Sequence, residues 1–342
     1  MKNTVVSNPE RIGAAVVGLG VGEQHARAFQ RHPACELRSV HDLDSSRARA
    51  VGQRLGGVPV AESFTAILSD PTVDVVSIAS FDDAHFAQVC EALDAGKHLF
   101  VEKPLCRSLE ELRRIKTTWQ RSGRRHLESN LVLRAAPLYR WLHDLVRDGK
   151  LGTLYAIDGE YLYGRLEKIT HGWRKDVADY SVMQGGGVHL VDLMLSLAGE
   201  RPQTVWAAGN RVCSTGTEFR YDDYVAATFR FPSGLVGRIT ANFGCVHRHH
   251  HVLRVFGTTG TFIYDDRGAR LHSSRAPSVG VDAVRLPALP ETKGDLIPAF
   301  VDRLRSGVDS AVAMERECGL IGACAAANVA AAERCEREIV YV

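Results

Sequence analysis

The sequence predicts an α/β protein: an N-terminal, doubly wound parallel sheet, followed by a C-terminal α+β domain with a large, mainly antiparallel open sheet. Over roughly the first 130 residues, short apolar runs alternate with segments of helical period. After about Leu131 that alternation gives way to a series of β-type segments separated by turns. The length of 342 residues exceeds what one hydrophobic core holds comfortably, so two domains are expected, 1–130 and 131–342.

RIGAAVVG, residues 11–18, is a short apolar strand that ends in glycines, and QHARAFQRH after it has helical spacing. ELRSVH, ending at Asp42, predicts a second strand, and SSRARAVGQRL a serine-capped helix. VDVVSIA, residues 73–79, is apolar almost throughout, as parallel strands covered on both faces are; a helix follows over 84–95 and stops at Gly96. HLFV, residues 98–101, is a fourth strand. The helix after it carries Ser108 as N-cap with Glu111 three residues on, and a fifth strand spans 125–131. Strands and helices alternating at these lengths require right-handed parallel crossovers.

In the second part a helix over 137–148 precedes six β-type segments, TLYAIDGEYLY, TVWAAGNRV, YVAATFRF, GLVGRITANFG, HHVLRVFG and GTFIYDD. Helices are expected over 189–197, 296–305 and 315–334, and the last of these are expected to pack on the first domain. No internal repeat or low-complexity linker interrupts the chain.

Composition excludes several classes. A net charge of +2, from 42 basic and 40 acidic side chains spread along the chain, leaves no footprint for nucleic acid or a membrane surface. The opening MKNTVVSNPERI holds no apolar leader, and no run approaches the ~20 residues that span a bilayer, so a cytoplasmic protein is expected. Eight cysteines without a C-x-x-C pair read as reduced, mostly buried thiols rather than a disulfide framework or zinc site. His247, His249 and His251 would share one face of a strand, but with only Cys245 as a further ligand nearby they read as a polar sheet face or subunit contact; no metal is expected.

Gly18, Gly20, Val21 and Gly22 lie between the first strand and first helix, where glycines let a backbone approach a pyrophosphate at a helix N-terminus. The spacing is irregular: the third glycine of G-x-G-x-x-G belongs at position 23, where Glu23 stands, and Gly22 comes one residue early. Asp42, at the end of the second strand, strengthens the reading, because a carboxylate there accepts both hydroxyls of an adenosine ribose. The pattern is that of a Rossmann domain binding NAD. NADP, whose 2′-phosphate the carboxylate repels unless Arg47 compensates, is the lesser alternative, and a glycine turn beside a helix-capping Asp the bland one.

Glu102-Lys103-Pro104 ends the fourth strand, at the sheet edge where ligands collect. A lysine there can hydrogen-bond a substrate hydroxyl and carry its proton, whereas an exposed Glu-Lys pair before proline, taken alone, is a solvated turn.

Taken together, GLGVGEQHARAF, VHDLD, the DDAH segment of 82–85, AGKHLFVEKPL and GGGVHLVDL resemble the Gfo/Idh/MocA oxidoreductases over nearly the whole chain. The resemblance implies that Ser80, His85, Glu102 and Lys103 stand with the cofactor and that Lys103 is catalytic. It implies substrates that are sugars, cyclitols or sugar nucleotides, and a homodimer or homotetramer formed through the C-terminal sheet. His189 matches the histidine of a family D-x-x-x-H motif that supplies a second acid/base, but the aspartate position is Gly185 here. Asn130, Arg134, Trp173 and Arg174 match substrate-lining segments, with Tyr180 and Asp192 close by in sequence. Arg134, Arg165 and Arg174 point to a nucleotide-linked sugar. Two other readings keep the same fold: glycoside cleavage by transient oxidation and elimination, and a non-catalytic NAD sensor.

Overall fold

A computed structural model describes residues 11–342; most of the opening stretch read above for a leader lies outside the described residues. In chain order the first elements are β1 (Ile12–Val17), α1 (Gly22–Arg31), β2 (Cys35–His41), α2 (Ser45–Arg54), α3 (Phe64–Ser69), β3 (Val75–Ile78), α4 (His85–Asp94), β4 (His98–Val101), α5 (Leu109–Arg121) and β5 (Leu127–Ser129). Then come α6 (Pro137–Arg147), β6 (Leu154–Leu162), α7 (Glu167–Thr170), α8 (Val188–Ala198), β7 (Thr204–Asn210), β8 (Tyr224–Arg230) and β9 (Val236–Asn242). The rest are β10 (His250–Gly257), β11 (Thr261–Asp265), β12 (Gly268–His272), β13 (Asp282–Val284), α9 (Ile297–Ser306), α10 (Ala311–Glu333) and β14 (Arg337–Glu338).

The chain divides into two compact units. Among the described residues, the first comprises 11–102, Arg114–Asn130 and Thr292–Met314; the second comprises Lys103–Arg113, Leu131–Glu291 and Glu315–Val342. Neither is continuous in sequence.

In the first unit five parallel strands run in the order β2-β1-β3-β4-β5, with an isolated parallel bridge from Val40 to Val60 beyond β2. Every residue of β3 is buried, which explains why its sequence is apolar without alternation. Strand order reverses between β1 and β3, and the crevice outside the carboxyl ends of two such strands is where open α/β sheets bind ligands. The core beneath holds Val16, Phe29, Val40, Val75 and Phe100, closed by Ile297, Phe300 and Val301 of α9.

The second unit is built on a nine-stranded sheet ordered β13-β12-β11-β10-β6-β9-β8-β7-β14. Its pairings are antiparallel except that of β6 with β9, which is parallel. One sheet face carries α8. Gly159 of β6 is glycine because a Cβ would stand 2.8 Å from Ile239 Cδ1 and 3.3 Å from Leu190 of the helix. The other face is polar, with Asp158 paired to Arg238 and Glu160 to Arg254. Gly199, at φ +67°, ends α8 in the left-handed conformation that favours glycine.

The fold class is the one the sequence predicts, and the serine-capped start of α5 holds in detail: Ser108 Oγ accepts from Glu111 N–H, and the Glu111 carboxylate accepts from Arg107 N–H. Four features differ, the first being α7, a short helix inside the stretch read as β-type segments. A short helix, α3, capped by Ser63, stands where only a connection was expected. Three further short strands, β12, β13 and β14, extend the second sheet at its ends. The segment before α8 is a wide π-helical turn, Met183–Gly187, so the helical path starts several residues before 189. No described helix is long and apolar enough to cross a membrane.

Candidate functional site

At the carboxyl end of β1 the chain turns sharply at Gly18, φ +81°, where a Cβ would collide with the Ala79 carbonyl oxygen at 2.4 Å. No residue but glycine fits between β1 and the end of β3. Gly22, the first residue of α1, presses its Cα onto the sheet: a Cβ would meet Val16 Cγ1 at 3.0 Å and Ala79 Cβ at 3.2 Å. That close helix–strand packing is the task of the third fingerprint glycine. Glu23, which occupies the expected position, turns away to pair with Arg27 and Arg54.

Gly20 is different. Its φ is not in the left-handed region, and a Cβ there would meet nothing within 4 Å, so neither backbone nor packing demands glycine. Open space over a turn that leads into a helix N-terminus, with no side-chain cap on Val21, is a cradle that a side chain would obstruct. Beside it, Asp42 is fixed by two backbone donors, Leu19 N–H to Oδ2 at 2.7 Å and Asp44 N–H to Oδ1 at 2.9 Å, with Arg47 at 3.4 Å from both oxygens. The residues fit a dinucleotide, with Gly20 and Asp42 the ones that would hold its diphosphate and its ribose.

Further along the same sheet edge, the buried His85 places Nε2 3.2 Å from the Ser80 carbonyl, and Ser80 Oγ bonds Gln88 Oε1 at 2.6 Å. Glu102 is held by the Asn130 amide, which donates to Oε1 at 2.7 Å and also to the Lys293 carbonyl at 2.8 Å. His25 stands behind it, Nε2 3.3 Å from Glu102 and Nδ1 2.9 Å from Ser77 Oγ. Asn130, expected to line the substrate, is 1% exposed and orients this carboxylate.

Lys103 opens the second unit, followed by a cis peptide to Pro104. Its ammonium donates to the Gly185 carbonyl at 3.0 Å. Gln184, next to it, donates to the Arg107 carbonyl at 2.8 Å, which ties the π turn to the segment that carries Lys103. One turn on, His189 is 7% exposed, its ring stacked 6.3 Å from Tyr161. Tyr180, 5% exposed, accepts from Arg174 Nε at 3.1 Å, and the Arg174 guanidinium lies 4.4 Å over the Trp173 ring. Arg134 and Asp192 form a two-pronged ion pair, Nε to Oδ2 at 2.8 Å and Nη2 to Oδ1. In the second unit, then, Lys103, Tyr180, Trp173, Arg174 and His189 gather at or around the π turn, while Arg134 and Asp192 satisfy one another.

Sequence reasoning read His251 only as part of a polar sheet face and did not bring it or Tyr161 to His189. They face each other across β6 and β10 in register, with rings 5.2 Å apart, and His251 lies 6.3 Å from His189. The signal was strand pairing, which a single sequence does not display. Of the histidine run, His249 and His251 do share a face, 4.9 Å apart, but His247 sides with His250 and pairs with Asp266, because β10 begins only at His250 and alternation does not extend before it.

Residues 12–129 match a family model described as oxidoreductase family, NAD-binding Rossmann fold, and residues 139–263 match the GFO/IDH/MocA C-terminal domain. An uncharacterized oxidoreductase of Rhizobium meliloti is 28% identical over 65% of this chain and 64% of its own length. An inositol 2-dehydrogenase of Acidothermus cellulolyticus is 28% identical over 73% of this chain and 71% of its own. Among solved structures, a levoglucosan dehydrogenase in complex with NADH superposes with a TM-score of 0.84 over 97% of this chain and 100% of its own, at 20% identity, a likeness of fold.

Proposed function

This chain belongs to the Gfo/Idh/MocA family of NAD-binding oxidoreductases acting on CH–OH groups, and from that premise we propose that it moves a hydride between NAD and a secondary alcohol or ketone carbon of a cyclitol or sugar. The observation that carries this reading is the placement of Lys103, one peptide bond beyond the Asn130-held Glu102 and bonded to the glycine turn that leads into His189.

Bound NAD supplies the hydride acceptor. The chain's own residues do the rest. Gly18 makes the sharp turn at the end of β1, Gly20 leaves room for the diphosphate, and Asp42 takes the ribose hydroxyls. Lys103 donates a hydrogen bond to the substrate oxygen and carries its proton, with His189 as the second group in reach of that oxygen. Removing the hydroxyl proton as the hydride leaves spares the carbon a full positive charge, which is why an acid/base must stand there.

Relatives named for inositol and levoglucosan support a neutral polyol. So does the neutralisation of Arg134 by Asp192, which thins the cationic cluster that would favour a sugar nucleotide.

The test is turnover. Purified protein with NAD and a panel of myo-inositol, levoglucosan and UDP-glucose should accumulate NADH in step with ketone product, fastest on the neutral polyols. NADH that never accumulates while a glycoside is cleaved would replace this reading with the oxidation–elimination route, and dinucleotide binding without turnover on any polyol would leave a sensor. Lys103→Ala should lower kcat by about a hundredfold or more with the NAD dissociation constant nearly unchanged.

A further inference from the structure

In the first unit, the buried polar side chains of Ser77, His25 and Asn130 lead to one carboxylate. His25 lies one turn into α1, the helix whose first residue is Gly22, and is fully buried between that helix and the sheet, its ring edge-on to Phe100 at 5.3 Å. Ser77, also fully buried, interrupts the apolar run of β3 and places Oγ 2.9 Å from His25 Nδ1. Asn130 approaches from the other side: its amide nitrogen stands 3.0 Å from His25 Nε2, 2.7 Å from Glu102 Oε1 and 2.8 Å from the Lys293 carbonyl. His25 Nε2 is itself 3.3 Å from the same Glu102 oxygen. An aliphatic residue at position 25 would fill this helix–sheet interface without desolvating a polar group, whereas each polar group buried here has to be matched. Of the four side chains only that of Glu102, at the carboxyl end of β4, reaches solvent, at 14% of its surface.

We propose that His25 is a positioning residue for hydride transfer, gripping the Glu102 carboxylate from beneath at the end of the strand that leads into Lys103. This rests on the hydride-transfer reading above and deepens it. An amide nitrogen has two hydrogens, and here its two nearest acceptors, Glu102 Oε1 and the Lys293 carbonyl, take both. Turning the Asn130 amide over would set its oxygen against a carboxylate and a carbonyl, so the network fixes this orientation. His25 Nε2 then receives no hydrogen from Asn130; it carries its own and presents it to Glu102 Oε1, with Nδ1 turned to the Ser77 hydroxyl. Two donors on one oxygen hold the carboxylate in a single orientation. Because the imidazole grows from α1, whose N-terminus follows the open space over Gly20, one helix sets both the diphosphate cradle and the carboxylate. Releasing Glu102 lets the end of β4 relax, and a displacement of ~1 Å at a reacting group slows transfer by up to about a hundredfold.

Two variants separate the two imidazole nitrogens. The side-chain nitrogen of asparagine stands where Nδ1 stands and that of glutamine where Nε2 stands, so His25→Asn keeps the Ser77 contact and drops Glu102, whereas His25→Gln keeps Glu102. We expect kcat lower by about tenfold or more in His25→Asn, with KM for the polyol within a few-fold, and recovery of most of that loss in His25→Gln. The dissociation constant for ADP-ribose, which carries the diphosphate and adenosine but no nicotinamide, should hardly change in either. Equal losses of kcat in the two variants overturn the proposal, and so does a loss of ADP-ribose affinity as large as the loss of kcat, because the imidazole would then act through the packing of α1. A further measurement needs neither variant nor turnover: nitrogen NMR of the labelled histidines in the wild-type apo protein, with His25 assigned through its contact with Phe100. A hydrogen on Nε2 is expected, and a ring with its hydrogen on Nδ1 alone overturns the grip on Glu102. If wild-type protein oxidises no polyol with NAD, the hydride-transfer reading falls and the positioning role with it, while the same spectrum still reports the grip itself.

Discussion

His98, the first residue of β4, shows how one half-buried acceptor couples stability to pH. Its Nδ1 accepts the His126 N–H at 2.9 Å, a bond that only the neutral ring can make at that nitrogen. Burial, aided by the neighbouring charges of Arg125 and His126, holds its pKa down to about 4 from the usual 6.5. Above 6.5 the ring is neutral in both folded and unfolded chains; between 6.5 and 4 only the unfolded chain takes the proton, so stability falls as pH falls through that window. The full effect is on the order of 3 kcal/mol. Glu128 acts in a second, more acid window: burial pushes it up, but hydrogen bonds from His126 and Arg303 prevail and hold it at about 2, so its contribution is lost only below about 4.5. Melting temperature should therefore drop between pH 6.5 and 4, and His98→Asn, which keeps an acceptor but cannot charge, should flatten that part of the curve. Parallel curves for the two proteins would remove His98 as the cause. None of this was legible in AGKHLF, where His98 reads only as the start of a strand; burial and the partner 28 residues away decide it. Lys103, five residues on, stands out in the sequence because a motif marks it.

Among elements, those most readable in sequence were the ones whose signals are local. β1, β3 and β4 show as apolar runs, α5 as a capped helix, and the turn after β1 as a glycine cluster, whereas the serines expected to cap α2 lie inside it and Asp44 is its N-cap, accepting from Ser46 and Arg47 N–H. The irregular spacing of that cluster becomes intelligible only in three dimensions, where Gly22 rather than residue 23 meets Val16 and Ala79. The parallel partnership of β6 and β9, and the π turn made by MQGGG, were illegible because each depends on what lies across the fold: a sheet register in one case, and the Tyr161, Tyr180 and Met183 side chains in the other. The turn after β1 also carries a prediction. Asp42 accepts the Leu19 and Asp44 N–H groups and, in the function proposed, presents negative charge to a ribose, and these two roles separate by substitution. Asp42→Asn retains one acceptor oxygen and removes the charge, so NAD affinity should fall by about tenfold while NADP affinity holds or rises beside Arg47. Calorimetric titrations that show equal losses for both dinucleotides would remove Asp42 from the ribose.

At the scale of the whole molecule, the first unit is not finished when its fifth strand is. The chain leaves it after Asn130, builds most of the second unit, and returns at Thr292 to supply α9. That return closes the core: Phe300 is fully buried, its ring 5.4 Å from Phe100 and 5.3 Å from His126, with Ile297 and Val301 alongside. Polar ties follow the same route. Arg303 forks onto Glu128, Ser310 donates to the Arg124 carbonyl, Lys293 N–H donates to Gln24, and the Lys293 carbonyl takes the Asn130 amide that steadies Glu102. A helix over 296–305 was readable from its spacing, but the partner of its apolar face was not, since sequence separation erases any local trace of it. We expect, therefore, that residues 1–130 alone do not make a self-sufficient dinucleotide-binding domain. Expressed alone, that fragment should expose Phe100 and the end of β5, bind hydrophobic dyes and fail to bind NAD, whereas joining 292–314 to it through a flexible linker should restore cooperative melting and NAD affinity. In the full chain, Phe300→Ala should cost about 3–5 kcal/mol and lower the unfolding midpoint in denaturant. Because Phe300 lies under the sheet that positions Gly18 and Asp42, saturating NAD should recover part of that loss by mass action. An isolated 1–130 fragment that melts cooperatively and binds NAD as the full chain does would show instead that α9 merely covers a core already complete.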